Sequence, residues 1–176
     1  MKLLSLAFLC GTSLALAASG EAATTAPHAS ATLYDAKGAK VGAAELTQTP
    51  AGVEIILNAE KLSPGERAVH IHETGKCEGA DGFKSAGAHF NPTHKEHGRL
   101  NPQGQHAGDM DNQKVDDNGV LKVKIINPNV TLNAGANSLF DADGSSIVIH
   151  AGADDYKSQP AGNAGDRIAC GIIERK

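Results

Sequence analysis

Eight short runs rich in valine, isoleucine and threonine alternate with turn-forming residues, and this pattern constrains the fold more than any other feature of the chain. The runs are ASATLYDA, KVGAAELTQT, GVEIILNAE, RAVHIHE, a short run near MDNQKV, GVLKVKIIN, SSIVIHAG and RIACGIIER. Two links, YDAKGAK and VDDNGV, carry the Asp, Asn and Gly that tight hairpin turns need. No stretch has the length and periodicity of a substantial helix. The pattern predicts an all-β domain, either a sandwich or a closed barrel of eight strands.

The N-terminus has the composition of a secretory signal peptide. Lys2 is followed by an apolar run to Leu16 and then by small residues that suit a signal peptidase. We expect residues 1–22 to be removed and residues 23–176 to form one domain. A retained membrane anchor is the less favoured interpretation, because the apolar run is shorter than the roughly 20 residues of a membrane span. The bulky Leu9 disfavours lipid attachment at Cys10, so we expect no membrane association after cleavage.

Charge and cysteine content narrow the class of protein further. The formal net charge is −4, which does not favour a nucleic-acid partner. Cleavage of the signal leaves two of the three cysteines, Cys77 and Cys170. In an oxidising compartment these two cysteines are expected to form a disulfide, and two free buried thiols are the disfavoured alternative.

Two long stretches, residues 74–109 and 151–166, lack strand patterning. Loops of this length within one domain are uncommon and usually functional. The first stretch contains four histidines and Cys77, so we expect a disulfide and a metal ion to order it. A third connection, NPNVTLNAGANSLFDADG, mixes apolar and turn-forming residues, which is typical of a crossover that plugs one end of a barrel.

Seven of the eight histidines lie between His70 and His150. Alternation along a strand places the side chains of His70 and His72 on the same face. Scattered histidines are usually surface or hydrogen-bonded core residues, but this density favours metal binding. Three imidazoles and one carboxylate suit a closed zinc site, and nitrogen-only ligation from rigid strands suits copper. The candidates are His89, His97, His106 and Asp109 for zinc, and His70, His72 and His150 for copper.

Six motifs resemble those of one known family, both in their residues and in their order along the chain. VHIHE, AGAHFNP, EHG, HAGD, IVIHAGADD and GNAGDRIACGII are similar to the metal-binding and active-site motifs of the copper,zinc superoxide dismutases. The resemblance spans most of the mature chain. It implies an eight-stranded Greek-key β-barrel, related to the immunoglobulin-like sandwich, with two long functional loops.

The resemblance also implies specific ligands and one copper and one zinc ion per subunit. The implied copper ligands are His70, His72, His89 and His150, and the implied zinc ligands are His89, His97, His106 and Asp109. Asp154 matches a carboxylate that links a copper ligand to a zinc ligand, which would fix the orientation of both rings. Asp155 matches no functional position.

The implied reaction is the disproportionation of superoxide to dioxygen and hydrogen peroxide, which would protect the cell envelope. His89 would bridge the two metals and deliver a proton to the product, and Arg167 would guide the superoxide anion. Lysines on the two loops would help to attract the anion, and the candidates are Lys76, Lys84 and Lys157.

The position of Cys77, five residues after His72, resembles the bacterial secreted branch of the family. A periplasmic or secreted location is therefore expected, and the oligomeric state stays open between monomer and homodimer. His28 and His94 match no ligand position. The alternative function is a secreted copper or zinc carrier, or a chaperone-like relative without turnover.

Overall fold

The computed structural model describes residues 26–176, and its strands follow the predicted runs. The predicted signal peptide and Cys10 lie outside the described residues. The strands are β1 (His28–Asp35), β2 (Lys40–Thr49), β3 (Gly52–Ala59), β4 (Gly65–Arg67), β5 (Val69–His72), β6 (Gln113–Val115), β7 (Leu121–Asn127), β8 (Ser146–His150), β9 (Arg167–Ile172) and β10 (Glu174–Arg175). Two single-turn 3₁₀ helices, Gly79–Asp81 and Lys84–Ala86, lie in the first long loop.

Antiparallel pairing joins the strands in the order β5-β8-β9-β1-β2-β3-β7, with β10 also on β1, and β4 pairs separately with β6. Two predicted strands are each interrupted by one residue, at Ala68 between β4 and β5 and at Ile173 between β9 and β10. Counted as single strands, these give the eight that the sequence predicts. The curled antiparallel sheet agrees with the predicted Greek-key barrel.

The barrel interior follows from strict alternation along the strands. In β1, Ala29, Ala31 and Leu33 are buried while the residues between them are more exposed. A strand sends alternate side chains to opposite faces, so one face of each strand lines a common apolar core. The connection over residues 128–145 adds Val130 and Leu132 to that core, as expected of a crossover that closes one end.

Strand β5 lies at one end of the sheet order, and its free edge is covered by the first long loop. Ile71 N–H donates to Gly108 O at 3.0 Å, and Phe90 N–H donates to Ile71 O at 2.8 Å. An uncovered strand edge exposes unpaired backbone groups, which the loop here satisfies. The same pairing brings His89 beside His72 and Asp109 beside His70. Among the described residues, no helix is both long and apolar enough to span a membrane.

Candidate metal centre

The side chains of His70, His72, His89 and His150 converge in one buried cluster. One ring nitrogen from each lies within 4.8 Å of the others. Nε2 of His72 is 3.4 Å from Nε2 of His150, and the ring centroids of His70 and His89 are 4.0 Å apart. Strands β5 and β8 supply three of these histidines, and the loop paired with β5 supplies the fourth. The first cluster is the set that the sequence predicts for copper.

The second cluster shares His89 and adds His97, His106 and Asp109. Oδ1 of Asp109 lies 2.8 Å from Nδ1 of His89 and 3.2 Å from Nδ1 of His106. Its other oxygen, Oδ2, lies 3.1 Å from Nδ1 of His97. Oδ2 also accepts hydrogen bonds from the backbone N–H groups of Gly98 and His106. All four side chains are buried, and three imidazoles with one carboxylate form a closed zinc-type donor set.

Three buried ring nitrogens in these clusters have no hydrogen-bond partner. These are Nδ1 of His70, Nε2 of His89 and Nδ1 of His97, the last of which lies 3.1 Å from Oδ2 of Asp109 without hydrogen-bond geometry. Leaving a buried polar atom unsatisfied is unfavourable by about 1–3 kcal/mol. A metal ion accepts the lone pair of each nitrogen, so the donor set fits bound metal. His89 in particular offers Nδ1 to the zinc-type cluster and Nε2 to the all-histidine cluster.

Asp154 links the two clusters through the ring nitrogens that point away from them. Its Oδ2 lies 2.9 Å from Nε2 of His70, and its Oδ1 lies 2.9 Å from Nε2 of His97. The carboxylate therefore fixes both rings so that the opposite nitrogen of each, Nδ1, points into its cluster. A carboxylate in this position orients metal ligands and raises their basicity.

The neutral form of several imidazoles is favoured by burial. Burial lowers the pKa of His150 to about 3, with further contributions from electrostatic interaction with His70 and Arg167. Burial also lowers the pKa of His89 to about 4, although its hydrogen bond to Asp109 acts in the opposite direction. The pKa of His72 is lowered for the same reason. Metals bind neutral imidazole, so these rings are in the form required for ligation.

For the two carboxylates and His97, the charged form is favoured instead. Burial alone would raise the pKa of Asp109, but hydrogen bonds from His106, His89 and His97 outweigh it and hold the pKa well below its usual range. The pKa of Asp154 is lowered by the same competition. Burial would lower the pKa of His97, yet its contacts with both carboxylates raise it to about 9.

Arg167 lies beside the all-histidine cluster and is held by two backbone carbonyls of the first loop. Its Nη1 donates to Phe83 O at 2.6 Å and its Nη2 donates to Gly87 O at 2.7 Å. Gly87 O also lies 3.1 Å from Nδ1 of His72. Burial lowers the pKa of Arg167, but a guanidinium stays charged in proteins. The loop thus places a fixed cation next to the cluster.

The first loop is anchored by a disulfide and a small apolar cluster. Cys77 and Cys170 are bonded, as the sequence predicts. Phe83, Val148 and Cys170 pack together in a second apolar cluster outside the barrel core. Phe83 is almost fully buried and adopts a left-handed backbone conformation with φ of 61°. This packing fixes the carbonyl that Arg167 uses.

The other residues considered in the sequence lie outside the clusters. His28 is exposed and lies 3.1 Å from the hydroxyl of Thr47. His94 is also exposed, and so are the three candidate steering lysines, Lys76, Lys84 and Lys157. Asp155 accepts hydrogen bonds from its own loop, including one from the N–H of Ser158 at 2.8 Å.

Several residues that shape the site were not singled out from the sequence. Asn112 and Tyr156 bind the backbone around Asp154 and link the two loops. Gly162, with φ of +64°, leaves room for Asp154 and His97. Phe83 positions Arg167. The glycines on either side of Phe83 in GFKSAG were the available sequence signal for a turn there, while the other three residues carry no local signal.

A β-barrel with two adjoining clusters of buried histidines that share one imidazole defines a class of two-metal proteins. The model of the family described as copper/zinc superoxide dismutase matches residues 40–173. "Superoxide dismutase [Cu-Zn] 1" of Aquifex aeolicus is 57% identical over 146 residues, which cover 82% of this chain and 86% of the relative. "Superoxide dismutase [Cu-Zn]" of Caulobacter vibrioides is 44% identical over 149 residues, with 83% and 85% covered.

Comparison with solved structures gives the same result as comparison of sequences. The crystal structure of a SOD-like protein from Bacillus subtilis superposes with a TM-score of 0.79 and 40% identity, covering 81% of this chain and 96% of that chain. This chain belongs to the copper/zinc superoxide dismutase family. The two histidine clusters fit the copper and the zinc that the family binds.

Proposed function

We propose that this protein is an exported superoxide dismutase that converts two superoxide anions and two protons into dioxygen and hydrogen peroxide. The observation that carries the proposal is the sharing of His89 between an all-histidine cluster and a cluster of three histidines with Asp109. Such a shared imidazole places two different donor sets side by side. The charged Arg167 beside the first set adds a recognition group for a small anion.

The two clusters are assigned to metals by their donor chemistry. Copper is held by His70, His72, His89 and His150, because a nitrogen-only set suits this ion. Zinc is held by His89, His97, His106 and Asp109, because a closed set with a carboxylate is typical of a structural zinc site. The unpartnered nitrogens of His70 and His89 support the assignment.

Copper supplies reversible one-electron transfer when bound, while zinc carries charge without redox chemistry. Arg167 attracts the anion and donates to it beside the all-histidine cluster. Its two hydrogen bonds to loop carbonyls hold the guanidinium in one orientation. A fixed local positive charge is needed because the net charge of the chain, −4, repels superoxide.

When Nε2 of His89 is not bound to a metal ion, this atom would take up a proton and deliver it to the forming peroxide. Asp109 stays 2.8 Å from Nδ1 of the same ring and prevents the ring from rotating. Asp154 orients His70 and His97 and takes no part in proton transfer.

Residues 1–22 are proposed as a secretory signal and residues 23–176 as the dismutase domain. Export to the periplasm or the exterior would place the protein where superoxide reaches the cell envelope. The Cys77–Cys170 disulfide supports this location, because such bonds persist in oxidising compartments.

The test is superoxide dismutation by residues 23–176 loaded with zinc alone and then with copper and zinc. Activity that requires copper and is lost in His150→Ala, with zinc retained, supports the dismutase and its ligand assignment. His94→Ala, which changes an exposed histidine outside both clusters, is the matched control. Tight binding of both metals without dismutation would instead establish the alternative, a metal carrier.

A further inference from the structure

Tyr156 contacts both long loops through four separate groups. Its backbone N–H donates to Oδ1 of Asp154 at 2.6 Å, and its hydroxyl oxygen accepts from the N–H of Asn112 at 2.8 Å. Its carbonyl oxygen accepts from the N–H of Leu100 at 3.0 Å. The guanidinium carbon of Arg99 lies 4.1 Å from the centre of its ring. One residue therefore joins the first loop to the carboxylate that orients the metal ligands.

The side chain of Asn112 forms hydrogen bonds with both backbone groups of Asp154, its N–H and its carbonyl. The Asn112 amide nitrogen donates to Asp154 O at 2.9 Å, and Asp154 N–H donates to the Asn112 amide oxygen at 2.8 Å. Because Asn112 N–H is itself bound to Tyr156, the three residues form a closed set of hydrogen bonds. Motion of Tyr156 would be transmitted to Asp154 by two routes.

The oxygen of Asp154 that Tyr156 binds is the same oxygen that contacts a zinc-cluster histidine. Oδ1 accepts from Tyr156 N–H and lies 2.9 Å from Nε2 of His97. The contact requires an uncommon backbone conformation, since Tyr156 has φ of 64°. A left-handed conformation at an aromatic residue persists only where its surroundings enforce it. Here the surroundings are the ring contact with Arg99 and the hydroxyl contact with Asn112.

We propose that Tyr156 is a positioning residue of the metal centre. Its ring and hydroxyl lock the loop so that its N–H sets the rotamer of Asp154, and Asp154 then holds the rings of His70 and His97. The inference rests on the proposed function and extends it to the rigidity of the zinc site. Loss of the phenol would leave every metal ligand present but less firmly oriented.

The first experiment measures zinc release from the protein loaded with zinc alone, using a chelating indicator in excess. Tyr156→Phe removes only the hydroxyl, and Tyr156→Leu removes the aromatic ring as well. Tyr34→Phe is the matched control, because Tyr34 is the other of the two tyrosines and is 44% exposed. We expect release to be faster by about tenfold in Tyr156→Phe, by more in Tyr156→Leu, and unchanged in Tyr34→Phe.

A second readout separates positioning from a loss of stability. Cobalt in place of zinc reports ligand geometry through its visible absorption bands. We expect Tyr156→Phe to broaden or shift these bands under conditions in which urea unfolding shows the variant fully folded. Arg99→Ala, which removes the contact above the ring and leaves the phenol, serves as a second variant and is expected to act in the same direction.

Unchanged zinc release and unchanged cobalt bands in Tyr156→Phe and Tyr156→Leu would overturn the proposal, even if both variants were less stable. Zinc release and cobalt spectra do not depend on dismutation. If the unmodified protein fails to dismutate superoxide, the proposed function fails, while the positioning role of Tyr156 is still decided by these two measurements.

Discussion

Nη2 of Arg167 donates a hydrogen bond to the carbonyl oxygen of Gly87 over 2.7 Å. The same oxygen lies 3.1 Å from Nδ1 of His72. One peptide carbonyl therefore orients both Arg167, which is proposed to guide superoxide, and a ligand of the proposed copper site. The position of Gly87 is set by the loop, so the electrostatics of the site depend on loop geometry as well as on charge.

Replacement of Arg167 by alanine is expected to lower the second-order rate of superoxide dismutation by roughly tenfold or more, because local fields raise association rates by at least that factor. The salt dependence of the rate should also flatten, since the attraction between substrate and site is screened by salt. Stopped-flow assays over a range of ionic strengths measure both. Arg167→Lys keeps the charge and should retain part of the salt slope. An unchanged rate and slope in Arg167→Ala would remove this residue from substrate guidance.

Removal of the disulfide is expected to destabilise the protein and loosen the first loop. The cysteines are 93 positions apart, and closing a loop of that length removes about 4–5 kcal/mol of unfolded-state entropy in the chain-entropy model. The variant Cys77→Ser with Cys170→Ser should therefore have a lower Tm than the oxidised protein. The unmodified protein under reducing conditions is the control and should shift in the same direction. Equal Tm values for all three samples would contradict a stabilising role.

Zinc binding is expected to release a proton from His97. In the metal-free protein, contacts with Asp109 and Asp154 outweigh burial and raise the pKa of His97 to about 9. This folded-state value lies above the unfolded value of 6.5, so the stability contributed by the charged ring is present below about pH 6.5. It is lost as the pH rises through 9. Zinc binds the neutral ring, so zinc affinity should increase from pH 7 to pH 9.

Calorimetry in buffers of different ionisation enthalpy measures the protons released per zinc. We expect about one proton from His97 at pH 7.5, because the unbound ring is mostly charged there. His97→Gln should remove this release, while His94→Gln, an exposed position, should keep it. Proton release that is the same in the unmodified protein and in His97→Gln would show that His97 is neutral before zinc binds.

The strands were predictable because their signal is local. Each run alternates apolar and polar residues with period two, and turn residues mark its ends, as in β1 and β2. The interruption at Ala68 has no such signal. Ala68 N–H donates to Gly152 O and Ala68 O accepts from His150 N–H, so its pairing depends on a loop more than 80 residues away.

The two clusters of proposed metal ligands were predictable because few other roles explain so many histidines beside strand ends and turns. The residues that position those ligands were not predictable, because their contacts form only in the folded chain. Tyr156 and Asn112 are 44 positions apart in sequence, and neither belongs to a residue type that indicates metal chemistry. Gly162 is one of 20 glycines. It matters because Asp154 and His97 occupy the space that a side chain at this position would need.

Alanine at Gly162 is expected to weaken the zinc site without replacing any ligand. A Cβ at this position would lie 2.5 Å from Cγ of Asp154 and 2.7 Å from Nε2 of His97. Since real Cβ contacts are not that short, the carboxylate or the ring must move, and the hydrogen bond between them is disturbed. We expect the zinc affinity to fall by roughly tenfold or more, as is typical when a residue that orients a ligand is disturbed.

The control for this substitution must carry the same backbone strain without the collision. Gly38 has φ of +80°, close to the +64° of Gly162, and a Cβ there would meet no atom within 4 Å. Both alanine variants should therefore lose about 1–2 kcal/mol through the left-handed conformation, as measured by urea unfolding of the metal-free proteins. Gly162→Ala alone should lose zinc affinity. Equal zinc affinities in the two variants would mean that Asp154 and His97 can shift together without disturbing the site.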